Sequence, residues 1–459
     1  MQIPTEVDYI IVGGGLTGCV ISNRVITLNA GKTLGGSSIL NYGGWARGDT
    51  SDYDAWTRML DDKRWSYDGL LPYFRRSESF SDVGANSEQY GSNGPMKVRS
   101  ISGSDPKRKY PLLERIGVER IPSNAGKLAG LSELLENFDD GTEALVHRIN
   151  FVQVPNQEPR AIGVLLADGR QIKARKEIIS AAGAVCSPQL LQLSGVGPAS
   201  VISRHGIPVI YDSPAVGQNL FDHFALFQVY KLRDPERGLS LGHPSLTDPA
   251  FFKGIPVDWI VNEASPADQL KKVLTEDGNP SDSHGLGDAI PVNGNFVATS
   301  VMLTLPISRG SLELASASPN EPPIIQPNYF STAVDRAVLI HGVRRLLQAL
   351  TFTQAGKDVV ESEMGPGPGL ASLTLESSDK DIEDQIRAIG SPHYHVAGTC
   401  ALGTVLDTEL RVNGVQGLRV VDASIFPAPL GGHPRASLYA IADLGAEMIS
   451  MAKESKDTN

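Results

Sequence analysis

The spacing of apolar residues changes several times along this chain, and each change predicts an element. Residues 7–12, Val-Asp-Tyr-Ile-Ile-Val, form a short, almost continuous apolar run that stops at glycines, the pattern of a parallel strand covered on both faces. Residues 177–183, Glu-Ile-Ile-Ser-Ala-Ala-Gly, repeat it. A helix is expected next, with Ser187 as N-cap, Pro188 at its first position and Leu190, Leu191 and Leu193 along it. Residues 418–421 predict a third strand, ending at Asp422. Helical spacing is clearest after Asp335, where Leu339, Val343, Leu346, Leu347 and Leu350 oppose Arg344 and Arg345. It returns in Leu438, Ile441, Leu444 and Met448, a last amphipathic helix starting near Ser437. Two Gly/Pro-rich interruptions, residues 276–288 and 365–369, read as exposed loops. The alternation predicts an α/β fold, with residues 224–390 as a separate unit inserted between the two parts of the first.

Residues 13–18, Gly-Gly-Gly-Leu-Thr-Gly, stand between the first strand and a helical stretch. This is a G-x-G-x-x-G turn, in which Gly13, Gly15 and Gly18 allow a tight bend, backbone approach to a pyrophosphate and helix-on-sheet packing. The same fingerprint calls for an acidic residue about 20 positions on, to hold a ribose. None occurs between Asp8 and Asp49. The residues that would build the second strand and its crossover are absent as well, since a second glycine-rich stretch begins at Gly31.

Charge and cysteine content narrow the partners. The 459 residues carry 41 basic and 52 acidic side chains, a net charge of −11, with no basic run, so nucleic acid and anionic membranes are excluded as expected partners. Residues 9–12 are the longest apolar run near the N-terminus, too short for a signal segment or for the ~20 residues of a membrane helix. Three widely spaced cysteines, Cys19, Cys186 and Cys400, and no Asn-X-Ser/Thr acceptor lead to an expected cytoplasmic location. Cys186 and Cys400 lie among small apolar residues and are expected to be packed thiols.

Longer blocks carry a resemblance. Residues 31–41, continuing through Trp45, Arg47, Gly48, Asp54 and Trp56, resemble the first signature of the glucose-methanol-choline (GMC) family of FAD-dependent oxidoreductases. Residues 183–191, ending in Ser194-Gly195-Val196-Gly197, resemble the second. Residues 217–223 and Ser308-Arg309-Gly310 are similar to further landmarks, and residues 395–399, 421–424 and Gly432-His433-Pro434 to the family's catalytic end.

The resemblance implies a Rossmann-like FAD-binding domain from residues 1–223 with 391–459, its second strand incomplete, and an α+β substrate domain with an antiparallel sheet from residues 224–390. It implies oxidation of a small-molecule alcohol to an aldehyde or ketone, in the manner of fungal secondary metabolism, with hydride transfer to FAD and reoxidation by oxygen or another acceptor. His395 takes the place of the catalytic base and His433 that of its partner, with the positive end of the last helix behind them. The FAD contacts fall on Gly13, Gly15, Gly18, Ser38, Asn41, Val146, Asp422 and Ala423. His393 raises a three-histidine metal site, which is set aside because no carboxylate or cysteine lies at helpful spacing. A hydroxynitrile lyase-like enzyme and a non-catalytic relative unable to hold FAD remain as alternatives. Two departures from the family pattern bear on the last: only 16 residues lie between Gly18 and Gly35, and the link near residues 140–143 is short. Both predict weakened FAD binding.

Overall fold

The structure, a computed structural model, describes residues 5–25, 45–81, 86–98, 146–238, 240, 242–247, 293–366 and 370–457. The strands of its two main sheets are β1 (Glu6–Val12), β2 (Val146–Val152), β3 (Arg160–Leu166), β4 (Gln171–Ser180), β5 (Phe224–Leu232), β6 (Phe296–Leu303), β7 (Val360–Met364), β8 (Ser391–Pro392) and β9 (Leu418–Val420). The helices that frame them are α1 (Leu16–Val25), α2 (Thr50–Leu60), α3 (Tyr67–Ser77), α4 (Gly183–Leu193), α5 (Ala333–Leu347), α6 (Asp379–Ile389) and α7 (Arg435–Asp457).

The first sheet is built around β4. β1 runs parallel to it along one side, and β9 runs parallel to residues 178–180 on the other. β3 pairs antiparallel with the start of β4, and β2 with β3. The pattern of β4 explains this division. Residues 171–175 alternate exposed and half-buried, as a strand with one wet face does. Ile178 and Ile179 are fully buried, flanked by parallel neighbours. The strand therefore begins earlier than its apolar end alone predicts. Among the described strands β1 pairs with β4 alone, and residues 26–44, where a second strand would fall, lie outside the described residues.

The start of α4 corrects the sequence reading. The helix begins at Gly183, and both Ser187 and Pro188 lie inside it. Proline removes the N–H that the Ala184 carbonyl would have received, and the Thr399 hydroxyl donates to that carbonyl instead, at 2.6 Å. Ser187 is freed from capping and bonds Ser180 Oγ and Asp422. Cys186 is consequently exposed, not packed, because the helix turns Ser187, Leu190 and Leu191 inward in its place. Cys400 is fully buried, and burial drives its thiol pKa upward.

The second sheet is antiparallel. β5 pairs with β6 on one side and with β7 and β8 on the other. Its core is separate from that of the first sheet: Phe224, Leu226 and Tyr230 from β5 meet Leu339, Val343 and Leu347 of α5 and Ile382 and Ile386 of α6. Thr332 caps α5 by accepting the Asp335 N–H. The short β8 pairs with Phe224 and Ala225, so the chain leaves this sheet directly into residues 393–395. α7 returns to the first sheet and packs on α1 and α3. Among the described residues no helix is long and apolar enough to cross a membrane.

Candidate active site

Four histidines meet where β8, the residues before β5 and the loop before α7 converge. The ring centroids of His395 and His433 are 5.0 Å apart, those of His393 and His395 4.9 Å, and those of His223 and His395 4.9 Å. His393 also lies parallel to Phe227, at 6.3 Å. The two predicted catalytic residues, 38 apart in sequence, are thus neighbours in space. His223 joins them, which the sequence reading did not anticipate.

The loop that carries His395 is held by its main chain. Asp222 Oδ1 accepts the His395 N–H at 2.6 Å, and Tyr329 donates its hydroxyl to Asp222 Oδ2 at 2.8 Å. Between the two histidines Tyr394 is left-handed, with φ 61°, a conformation that costs a non-glycine residue about 1–2 kcal/mol. Asn219 donates to the Gly398 carbonyl and accepts from Arg309 Nε at 2.8 Å. Residues 217–223 and 308–310, separate landmarks in the sequence, therefore brace the same loop.

The loop of His433 is held as firmly. Gly431 N–H donates to Asp52 Oδ2 at 2.7 Å. A side chain at Gly432 would overlap the Arg47 carbonyl, so only glycine lets this loop lie against residues 47–48. Arg47 itself is buried: it donates to Glu78 at 2.6 Å and to Tyr67 at 2.8 Å, and its guanidinium lies 4.7 Å from the Phe74 ring centre. α7 begins two residues after His433, so its N-terminal dipole supports negative charge beside the imidazoles.

Electrostatics disfavour the protonated form of all four rings. Burial first, and the other histidines second, push His395 far below the ordinary histidine value. The same causes bring His223 to about 3 and His433 to about 4. Burial lowers His393 as well. The ring nitrogens of His393, His395 and His433 come within 4.8 Å of one another, so the donor set that the spacing argued against does assemble in space.

The remaining predicted residues lie around the first sheet. Gly13 and Gly15 form the turn from β1 into α1, and Gly18 lies in the first turn of α1. A side chain at Gly13 would overlap the Ala181 carbonyl, and one at Gly18 the Gly13 carbonyl. Val146 is the first residue of β2 and pairs with Leu166. Asp422 is buried, its carboxylate accepting from Gly183 N–H at 2.9 Å, Ser187 Oγ at 2.5 Å and Ser424 N–H at 2.8 Å. With its oxygens so engaged, Asp422 ties β9 to the start of α4. The Ala423 carbonyl accepts the Gly398 N–H. Ser38 and Asn41 lie outside the described residues.

The N-terminal profile of the GMC oxidoreductases matches residues 7–125 and 134–225, and the C-terminal profile matches residues 306–442. The chain belongs to the GMC oxidoreductase family. It is 34% identical over 455 residues to the GMC-type oxidoreductase acuG of Aspergillus aculeatus, an alignment covering 94% of this chain and 86% of that protein. It is 31% identical to patulin synthase of Aspergillus clavatus, covering 92% and 78%. Oxygen-dependent choline dehydrogenase of Burkholderia vietnamiensis is 32% identical, with 94% and 81% covered. A crystal structure of formate oxidase superposes with a TM-score of 0.79 at 24% identity, over 99% of this chain and 100% of that one. A fungal aryl-alcohol oxidase gives 0.75 at 20%, over 98% and 100%. At these identities the likeness establishes the mixed α/β fold.

GMC oxidoreductases use FAD, and the described residues of this member fit its phosphate end. Gly13 and Gly18 are consumed in packing, but among the described residues a side chain at Gly15 would meet nothing closer than the Ala181 oxygen at 4.0 Å, and one at Gly183 nothing within 4 Å. Both positions open at a helix N-terminus, where backbone N–H groups and the helix dipole favour phosphate.

Proposed function

We propose that this GMC oxidoreductase oxidises a small-molecule alcohol to an aldehyde or ketone, in the manner of fungal secondary metabolism, with His395 as the base and His433 as its partner. The observation that carries this reading is the pair of imidazoles with ring centres 5.0 Å apart. A base must be unprotonated before it acts, and burial among other histidines keeps His395 in that form. His433 stands where it can hydrogen-bond the substrate oxygen and orient it toward His395. Gly13, Gly15 and Gly18 with α1, and Gly183, Asp422 and Ala423 with α4, would hold FAD, which supplies the hydride acceptor when bound and passes its electrons to oxygen or another acceptor. The dipole of α7 favours the alkoxide that develops as the proton leaves. Names of relatives, among them choline dehydrogenase and aryl-alcohol oxidase, support an alcohol as the substrate class.

The test is anaerobic mixing of the FAD-loaded protein with a series of aliphatic and benzylic alcohols. At least one alcohol should bleach the flavin absorbance, and His395→Ala should slow bleaching by ~10² or more. Cleavage of a cyanohydrin without bleaching by any alcohol would replace this reading with the lyase-like one.

A further inference from the structure

We propose that Asp222 and His223 are positioning residues for His395: Asp222 fixes its main chain, and His223 fixes its ring as the tautomer with the proton on Nδ1 and a bare Nε2. This deepens the function proposed above and rests on it, because it names the atom of His395 that takes the substrate proton.

The argument is one of donors and acceptors. His223 Nε2 lies 3.1 Å from the Leu430 carbonyl oxygen. Two carbonyls, of Leu430 and Thr304, face this ring, and the one paired at hydrogen-bond distance is that of Leu430 with Nε2; a carbonyl can only accept, so we assign the proton to Nε2. His223 is 3% exposed, and burial with its histidine neighbours brings its pKa down to about 3, so the ring carries one proton at neutral pH. Its Nδ1 is then a bare acceptor. That atom is 2.9 Å from His395 Nδ1, and two nitrogens at this distance share one proton. The proton belongs to His395. A neutral His395 with its proton on Nδ1 has its lone pair on Nε2.

Asp222 supplies the second constraint. Its two oxygens accept the His395 main-chain N–H and the Tyr329 hydroxyl, which stabilises the left-handed turn at Tyr394. Main chain and ring are thereby fixed by adjacent residues of one segment, 172 residues away from the group they orient. In the proposed reaction the alcohol O–H bond breaks and an N–H bond forms at Nε2, and the hydride of the carbinol carbon would be taken by the acceptor that bound FAD would supply. His395 becomes an imidazolium whose Nδ1–H still donates to His223, now as a charge-assisted bond. A chain of Leu430 carbonyl, His223 and His395 thus accepts the positive charge without moving a second proton.

Two measurements test this. In protein with isotopically labelled histidine nitrogens, long-range nitrogen–proton NMR correlations identify which nitrogen of each ring is protonated, without any turnover. His395 should show a protonated Nδ1 and a bare Nε2. A proton on Nε2 would overturn the proposal whatever the enzyme oxidises. In kinetics, His223→Leu should lower kcat by ~10-fold or more, with KM and flavin content within about twofold, as expected when a base is misoriented but binding is untouched. His223→Asn keeps an amide oxygen able to accept from Nδ1 and should recover most of that loss. If His395→Ala abolishes turnover while His223→Leu folds and leaves kcat unchanged, the positioning role is wrong and the base assignment stands. If His395→Ala is itself without effect, the function reading fails first. Should His223→Leu fail to fold, the NMR result and the Asn variant decide.

Discussion

An acid limb far below that of an ordinary histidine should mark the pH profile of this enzyme. An unperturbed imidazole with pKa ≈ 6.5 is only ~3% neutral at pH 5, so a base of that kind would lose about 30-fold in kcat/KM between pH 8 and pH 5. His395 is not of that kind. It is displaced further than His433, whose pKa is pushed down to about 4, and a group at that value is still ~90% neutral at pH 5. The profile of kcat/KM reports the substrate-free enzyme, and it should be flat within about twofold from pH 8 to pH 5. The assay is steady-state turnover of the alcohol that bleaches the flavin fastest. His433→Asn removes one repelling neighbour and leaves burial, the larger cause, in place. Its acid limb should move upward yet stay below pH 6.5. A wild-type profile that falls tenfold per pH unit below 6.5 would refute the reasoning, because it would require an imidazole solvated as in water.

Three further outcomes are expected. FAD should bind weakly in equilibrium dialysis if the ribose depends on an acid at the family position, since none occurs between Asp8 and Asp49 and each charge-assisted bond forgone is worth ~1.5 to 3 kcal/mol, about ten- to a hundredfold in affinity; a sub-micromolar Kd would show that another residue takes that role. Glu363, buried in the second sheet and bonded by Leu373 N–H and Gln385, has its pKa pushed up to about 7 by burial. The folded state then holds a proton that the unfolded chain releases near pH 4.5, so this group should cost roughly 3 kcal/mol of stability as pH rises from 4.5 to 7, and urea melts should show Glu363→Gln flattening that fall. Arg47→Met leaves Glu78 buried with only Trp45 and Gly91 as donors, and urea unfolding should register a loss of ~3 to 5 kcal/mol; a loss under 1 kcal/mol would mean that water reaches the carboxylate.

What was legible in the sequence was local. β4, β9, α5 and α7 each carry their own apolar pattern, and burial in the fold follows it; the run of β1 predicts the strand, yet of its residues only Tyr9 is buried and Val7, Ile10, Ile11 and Val12 are half-buried. The start of α4 was misread for a reason of the opposite kind. Ser-Pro looks like a helix start because its backbone requirements are met there locally, yet the carbonyl that Pro188 leaves without a donor is satisfied by Thr399, 215 residues away. No window of sequence contains both.

The same distinction separates the two layers of the site. His395 and His433 stand out because the blocks around them resemble the catalytic end of the family, which outweighs the ordinary hydrogen-bonded role of most histidines. Asp222 and His223 were in view as part of a landmark, and their residue types were signal enough to ask what an acid and a histidine do just before the buried strand β5. Their role appears only when Leu430 and His395 are placed on either side of the His223 ring. A carbonyl has no side-chain identity, so nothing in the sequence could name Leu430 as the group that sets a tautomer. Residues that perform chemistry are chosen for their type and show in the sequence, whereas residues that orient them are chosen for their place. That asymmetry puts the undetected function of this chain in the contacts between motifs, where a change of geometry would alter turnover while every signature residue remained.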